Sequence, residues 1–230
     1  MLYKFLKKLK FIFTQTSYSQ AGEDAIIRYL FDDYGLSNIS YLDLGTNTPD
    51  YGNNTYWFYL NNSTGVCVEA DSSLIKRIKK VRTNDIVLNL GVSTSIEKEE
   101  YFYIFNQPDL NTFNELEAIE KAKSGKYKIL SKKLVKLVTI NSILDKYFTN
   151  CPDLLSIDIE GLDLDVLKSL DFNKYPIKVI CAETCLYSEN HIRFKNDKLI
   201  NYMESKNYEV YGSTYINTIF VNKDWFYSTK

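Results

Sequence analysis

The sequence predicts an α/β fold: a mostly parallel seven-stranded sheet, helices on both faces, and an antiparallel hairpin at its C-terminal end. Three observations carry this expectation. Five short apolar runs, at 39–44, 65–69, 85–90, 154–159 and 178–182, are nearly continuous in hydrophobicity, as strands covered on both faces must be. Segments of helical or mixed character separate them, and that β-α-β alternation implies a doubly wound sheet with right-handed crossovers. Two closing runs, 208–211 and 216–222, flank a turn and read as an antiparallel pair.

In chain order, an unusual segment comes first. Leu2, Phe5, Leu6, Leu9, Ile12 and Phe13 share one helical face, while Lys4, Lys7, Lys8 and Lys10 occupy the other sectors. A signal peptide would keep its charges apart from a continuous apolar block, and here they are interleaved. A basic amphipathic helix of this kind either lies on an anionic membrane surface or packs on the domain or a partner chain. Residues 1–16 are therefore set apart, and 17–230 read as one domain. Ser19-Gln20-Ala21-Gly22-Glu23-Asp24 predicts a turn and a helix start, with acids suited to the first turn and apolar residues at 25–31. Further helices are expected over 55–60, 72–81, 140–147 and 163–170, and near 197–206. Residues 93–139 are less regular, contain a Lys-rich helix candidate, and read as an insertion that could form a substrate lid.

Composition narrows the function. A chain of 230 residues with 45% hydrophobic and 25% charged residues can bury a core and is not a disordered segment. Its formal net charge of −1 supplies no field for a nucleic-acid partner. Cys67, Cys151, Cys181 and Cys185 have neither CxxC nor zinc-ligand spacing, so a reduced cytoplasmic protein is expected, associated with the membrane only if residues 1–13 bind it.

The chemistry should collect where strands end, because ligands of open α/β sheets bind outside the carboxyl ends of the strands. Asp43 closes the first strand, and the turn Gly45-Thr46-Asn47 follows it. Gly45 lets backbone approach a ligand. The full G-x-G-x-x-G pattern that seats a pyrophosphate is missing, which points away from NAD. Glu69 ends the second strand, where an acid accepts hydrogen bonds from the two hydroxyls of a ribose; Ala70 follows. Asn89, near the end of the third strand, either reads an adenine or caps a turn. Asp158, Glu160 and Asp163 crowd the fourth strand end, Asp163 as a helix N-cap. Asp158 and Glu160 should face one side, suited to proton transfer or to a divalent ion, with Glu183 at the fifth strand end as a third candidate ligand. A metal is not expected, since three clustered acids do not make a ligand set. His191, the single histidine, stands eight residues beyond Glu183 as an alternative base.

Together these blocks resemble the FkbM-type S-adenosylmethionine-dependent methyltransferases. The resemblance runs through 19–24, 41–49, Asn53-Asn54-Thr55-Tyr56, 65–70, 155–161 with Asp163 and Val166-Leu167, and 179–183, in matching order. It implies a Rossmann-like class I methyltransferase fold and O-methylation of a hydroxyl, with a sugar of surface polysaccharide biosynthesis as the expected acceptor. It implies further that Asp43, Gly45, Thr46, Asn47, Glu69 and Ala70 hold S-adenosylmethionine, with Gln20, Glu23 and Asn54 near the pocket and Asn89 at the same edge. Asp158 would stand close to the transferring methyl. One departure is the segment Thr48-Pro49-Asp50-Tyr51-Gly52, where many members carry an earlier second glycine. The rival expectations are a nucleotide- or NAD-linked sugar-modifying enzyme and a non-catalytic membrane-associated binding module of the same fold.

Overall fold

The computed structural model describes residues 16–228 except 96, 108–109, 124, 160 and 188–192. The N-terminal segment 1–13, Glu160 and His191 therefore lie outside the described residues. Among the described residues no helix is long and apolar enough to cross a membrane.

The elements run α1 (Glu23–Asp33), β1 (Ser40–Leu44), α2 (Tyr56–Leu60), β2 (Thr64–Glu69), α3 (Ile75–Val81), β3 (Ile86–Asn89), β4 (Gly91–Ser93), β5 (Lys98–Phe105), α4 (Glu115–Lys123), β6 (Ile129–Thr139), α5 (Ile140–Tyr147), β7 (Leu154–Ile157), α6 (Asp163–Ser169), β8 (Val179–Glu183), β9 (Cys185–Tyr187), β10 (Arg193–Lys195), α7 (Asp197–Ser205), β11 (Tyr208–Ser213), β12 (Asn217–Asn222) and α8 (Lys223–Ser228). Seven strands form the main sheet in the order β11-β12-β8-β7-β1-β2-β3. The pairs among β8, β7, β1, β2 and β3 are parallel, while β12 is antiparallel to both β8 and β11. This is the predicted class I sheet with its terminal hairpin.

Near-continuous hydrophobicity has its cause in two separate cores. Leu42, Leu44, Leu155, Ile157, Ile180 and Ala182 point to one face, under α5, α6 and α7. Tyr41, Leu154, Val179 and Cys181 point to the other, under Ile27, Leu30 and Phe31 of α1, Phe58 of α2 and Ile78 of α3. Each fully buried aliphatic side chain contributes roughly 1.5–3 kcal/mol of hydrophobic stabilisation, so both faces hold the sheet. Because side chains alternate along a strand, Asp43 falls on the Tyr41 face.

Residues 93–139 are more regular than the sequence suggests, and the strands begin just before them, at Gly91. Residues 91–139 build a three-stranded sheet, β4-β6-β5, with β6 parallel to β4 and antiparallel to β5. Tyr103, Phe105 and Ala118 of α4 make its own small core. The Lys-rich run 132–136 is strand: Val135 and Leu137 are buried, while Leu134 and Lys136 are exposed, a period of two. Thr139 ends β6 and caps α5, its hydroxyl accepting the Ser142 N–H at 3.1 Å.

Candidate active site

The turn after β1 is drawn back over β2. The N–H groups of Gly45 and Thr46 both donate to the Val68 carbonyl, at 3.0 and 3.1 Å. Gly45 has φ +83°, and a Cβ built there would lie 1.9 Å from the Asp158 carbonyl oxygen. Both facts demand glycine: a left-handed backbone disfavours a side chain, and the end of β7 leaves no room for one. Asn47, also left-handed at φ 49°, then directs its N–H to Glu69 Oε2 at 2.8 Å. Glu69 Oε1 accepts the Asp71 N–H at 2.7 Å. Burial pushes the Glu69 carboxyl above its usual range, opposed by these two hydrogen bonds. Asn89 donates its amide to the carbonyls of Glu69 and Ala70, both at 2.9 Å.

Asp43 is drawn into a buried polar network. Its Oδ2 accepts from Asn53 Nδ2 at 3.0 Å and from Thr55 Oγ1 at 2.9 Å. Arg82, fully buried, donates to Asn53 Oδ1 (2.6 Å), Thr55 Oγ1 (3.1 Å), the Pro49 carbonyl (2.8 Å) and Tyr41 Oη (3.2 Å). Tyr41 Oη in turn donates to Asp85 Oδ2 at 2.6 Å, and Asp85 pairs with Arg82 at 3.6 Å. Burial raises the Asp43 carboxyl, with the Arg82 charge the largest opposing influence. The buried guanidinium thus pairs with Asp85, reaches Asp43 through Asn53 and Thr55, and ties the 46–53 loop to the sheet. Sequence reasoning missed Arg82 and Asp85. In a segment reading Lys-Arg-Ile-Lys-Lys-Val-Arg, no local pattern sets one cation apart from its solvated neighbours.

The helix-start motif also turns inward. Glu23 is fully buried: Oε1 accepts from Thr214 Oγ1 (2.7 Å) and Asn217 Nδ2 (2.9 Å), and Oε2 from the Ala21 N–H (2.8 Å). Burial pushes its carboxyl up, yet those hydrogen bonds outweigh it and hold the group below its usual range. Asp24 gathers Ser17, Tyr18 and Ser19. Gln20 is exposed, its Cγ 3.7 Å from where a Cβ on Gly52 would stand. Asn54 reaches across the strand ends, donating to Ser156 Oγ at 3.2 Å and approaching Cys181 Sγ at 3.6 Å.

Asp158 sits half-buried one residue past β7, its N–H donating to the Leu44 carbonyl at 3.0 Å. Asp163 is not the N-cap the sequence suggests. Leu162 holds that position without a side-chain cap, and Asp163 instead reaches back to the N–H groups of Ile159 and Gly161, each at 3.3 Å. Buried beside the Asp158 charge, its carboxyl is pushed up to about 7. Glu183 is the last residue of β8, opposite Asn217. Among the described residues, no group of three His, Cys, Asp or Glu is arranged to hold a metal ion. Lys195 of β10 donates to Thr184 Oγ1 (3.0 Å) and the Thr214 carbonyl (2.8 Å), holding the β9–β10 hairpin at the edge where β8 ends.

The sheet order is that of a class I α/β fold, with the Glu69 carboxylate at the end of β2 and the Gly45 turn after β1 at the same carboxyl edge. The Methyltransferase FkbM domain matches residues 43–210, most of the chain. The chain belongs to the FkbM methyltransferase family. No curated protein matches it. Among solved structures it is similar to a putative caffeoyl-CoA O-methyltransferase from Staphylococcus aureus, with 10% identity, 95% of this chain and 91% of that chain covered, and a TM-score of 0.48. It is also similar to the 1,6-didemethyltoxoflavin-N1-methyltransferase of Burkholderia thailandensis, whose structure holds 1,6-didemethyltoxoflavin and S-adenosylhomocysteine. There the identity is 9%, the coverage 96% and 90%, and the TM-score 0.46. The family assignment rests on the domain match and not on these structures.

Proposed function

We propose that the protein is an S-adenosylmethionine-dependent O-methyltransferase that methylates a sugar hydroxyl in surface polysaccharide assembly. The observation that carries this reading is the Glu69 carboxylate, fixed at the end of β2 by the N–H groups of Asn47 and Asp71. Each of its oxygens keeps acceptor capacity beyond the one backbone bond it takes, enough for the two hydroxyls of a ribose. Gly45 lets the turn after β1 pack directly on the end of β7, which keeps that turn beside Glu69 at the carboxyl edge where an adenosyl group would sit. S-adenosylmethionine brings a methyl already activated on a sulfonium, and the chain's own work is alignment and proton removal. Asp158, at the neighbouring strand end, serves as the base that accepts the proton of the acceptor hydroxyl. The sugar acceptor follows from the family resemblance. Residues 93–139 act as a lid over that acceptor, and the basic amphipathic segment 1–13 holds the enzyme at an anionic membrane surface.

Incubating the protein with methyl-labelled donor and a panel of nucleotide sugars and glycan fragments tests the acceptor. Asp158→Asn should abolish turnover while S-adenosylhomocysteine binds as before. Retained turnover removes Asp158 from the reaction, and absent S-adenosylhomocysteine binding in the unaltered protein removes the whole reading.

A further inference from the structure

A cavity of about 210 Å³ opens at the opposite, amino end of the sheet, between α1, α2 and the turns that lead into β1 and β2. Phe31, Trp57 and Phe58 form its aromatic walls, with Asn61 and the exposed Asp32 among its polar groups. Phe31 and Phe58 meet edge to face, at 5.9 Å between centroids. Arg28 completes the wall, its guanidinium carbon 4.8 Å above the Trp57 ring. The contrast with the other arginines is chemical. Arg82 is surrounded by acceptors and Arg77 pairs with Asp50 at 2.7 Å, but Arg28 Nη1 is buried with no hydrogen-bond partner. Asp32, one helical turn along, forms no ion pair with it.

A buried guanidinium N–H without an acceptor is costly, and a planar oxyanion that meets the fork with two parallel bonds removes the cost. The walls ask for a different partner, a flat apolar body. A cavity on the order of 150 Å³ accepts benzene, so this one has room for a ring and a carboxylate. We propose that it is a second binding site, for a small planar aromatic carboxylate, with the ring among Phe31, Trp57 and Phe58 and the carboxylate on Arg28. The cavity lies the length of β1, about 17 Å, from the Gly45 turn, so its ligand does not compete with the methyl donor.

Calorimetric titration of the full chain with benzoate tests this, with benzyl alcohol and inorganic phosphate as comparison probes. Saturable one-to-one binding of benzoate is expected, unchanged by saturating S-adenosylhomocysteine. Binding should be weaker by about tenfold or more for benzyl alcohol and in Arg28→Gln, which lose the charged, bidentate pair. If Arg28→Gln does not fold, Arg28→Lys, which keeps the charge but not the fork, should show a loss of the same kind. The proposal is overturned if benzoate does not saturate, if it competes with S-adenosylhomocysteine, or if phosphate binds as tightly. It is equally overturned if the folded Arg28 variant binds benzoate as well as the unaltered chain. None of these outcomes touches the reading of the Glu69 site, whose failure shows in S-adenosylhomocysteine binding.

Discussion

Glu69 Oε2 accepts the Asn47 N–H at 2.8 Å, joining the end of β2 to the turn after β1 across 22 residues. That carboxylate shapes the turn, and in the proposed reading it also accepts from the ribose of the methyl donor. Its removal should cost affinity and stability together.

Glu69→Ala leaves the Asn47 and Asp71 N–H groups without their acceptor, at about 1–3 kcal/mol for each that stays buried. Calorimetry should show S-adenosylhomocysteine affinity down tenfold or more, and the melting temperature should fall. Glu69→Gln, which keeps one carbonyl oxygen, should sit between the two. Unchanged affinity in Glu69→Ala would dismiss the ribose role.

Gly45→Ala tests the turn itself. The new methyl meets the Asp158 carbonyl at well under contact distance, on a backbone at φ +83°. A loss of about 3 kcal/mol is expected from overpacking and the left-handed conformation combined, a drop of roughly 6–12 °C in thermal melting. The same change at the exposed Gly125, φ +70°, meets no neighbour within 4 Å and should cost less.

Arg82→Met strands Asp85 without its paired cation. Breaking a buried pair in this way costs about 3–5 kcal/mol, readable as a shifted urea midpoint. Because the Arg82 charge also opposes the rise of the Asp43 carboxyl, the Asp43 signal in carboxyl-carbon NMR should titrate higher in a folded Arg82→Gln variant, which lacks that charge. An unmoved titration would show that the network leaves Asp43 alone.

Asp163 gives a pH signature. Its folded-state value of about 7 lies above the 3.8 of an ordinary aspartate, so the native state holds a proton that the unfolded chain releases between those limits. Its contribution to stability therefore falls as pH rises from about 4 to about 7 and is level above that, by on the order of 4 kcal/mol in all. Asp163→Asn should flatten the stability profile across this window. Asp158→Asn removes the neighbouring charge, and Asp163 should then titrate lower by NMR; an unchanged value would mean that burial alone sets it.

Features written in neighbouring residues were legible in the sequence. Apolar continuity marked β1, β2, β7 and β8 because those strands are covered on both faces, and Asp43, Glu69 and Asp158 stood out as charged residues at or next to the ends of such runs. Features that depend on distant partners were not. The side-chain partners of Glu23 lie more than 190 positions away, at Thr214 and Asn217, and nothing local reveals that its carboxylate turns into the protein. Arg82 is hidden for the same reason. The β6 strand was readable in principle, since Lys133, Val135 and Leu137 alternate with more exposed residues, but its lysines disguise the period. At α6, Asp163 has the residue type of a cap, yet the left-handed Gly161 before it shifts the helix start so that its carboxylate closes the preceding loop.

The grip of Glu23 on Thr214 and Asn217 also orders events during synthesis. On a ribosome that releases the chain from its first residue onward, the α1 carboxylate has no side-chain partner until the hairpin near residue 217 emerges. The first helix can form early, but it cannot seat its acid in a dry environment, where an unpaired carboxylate is costly. The Glu23 carboxylate therefore completes its hydrogen bonds only once that hairpin is present. A stalled or truncated nascent chain ending before Thr214 would lack both side-chain partners of Glu23 and leave the edge of β8 unpaired.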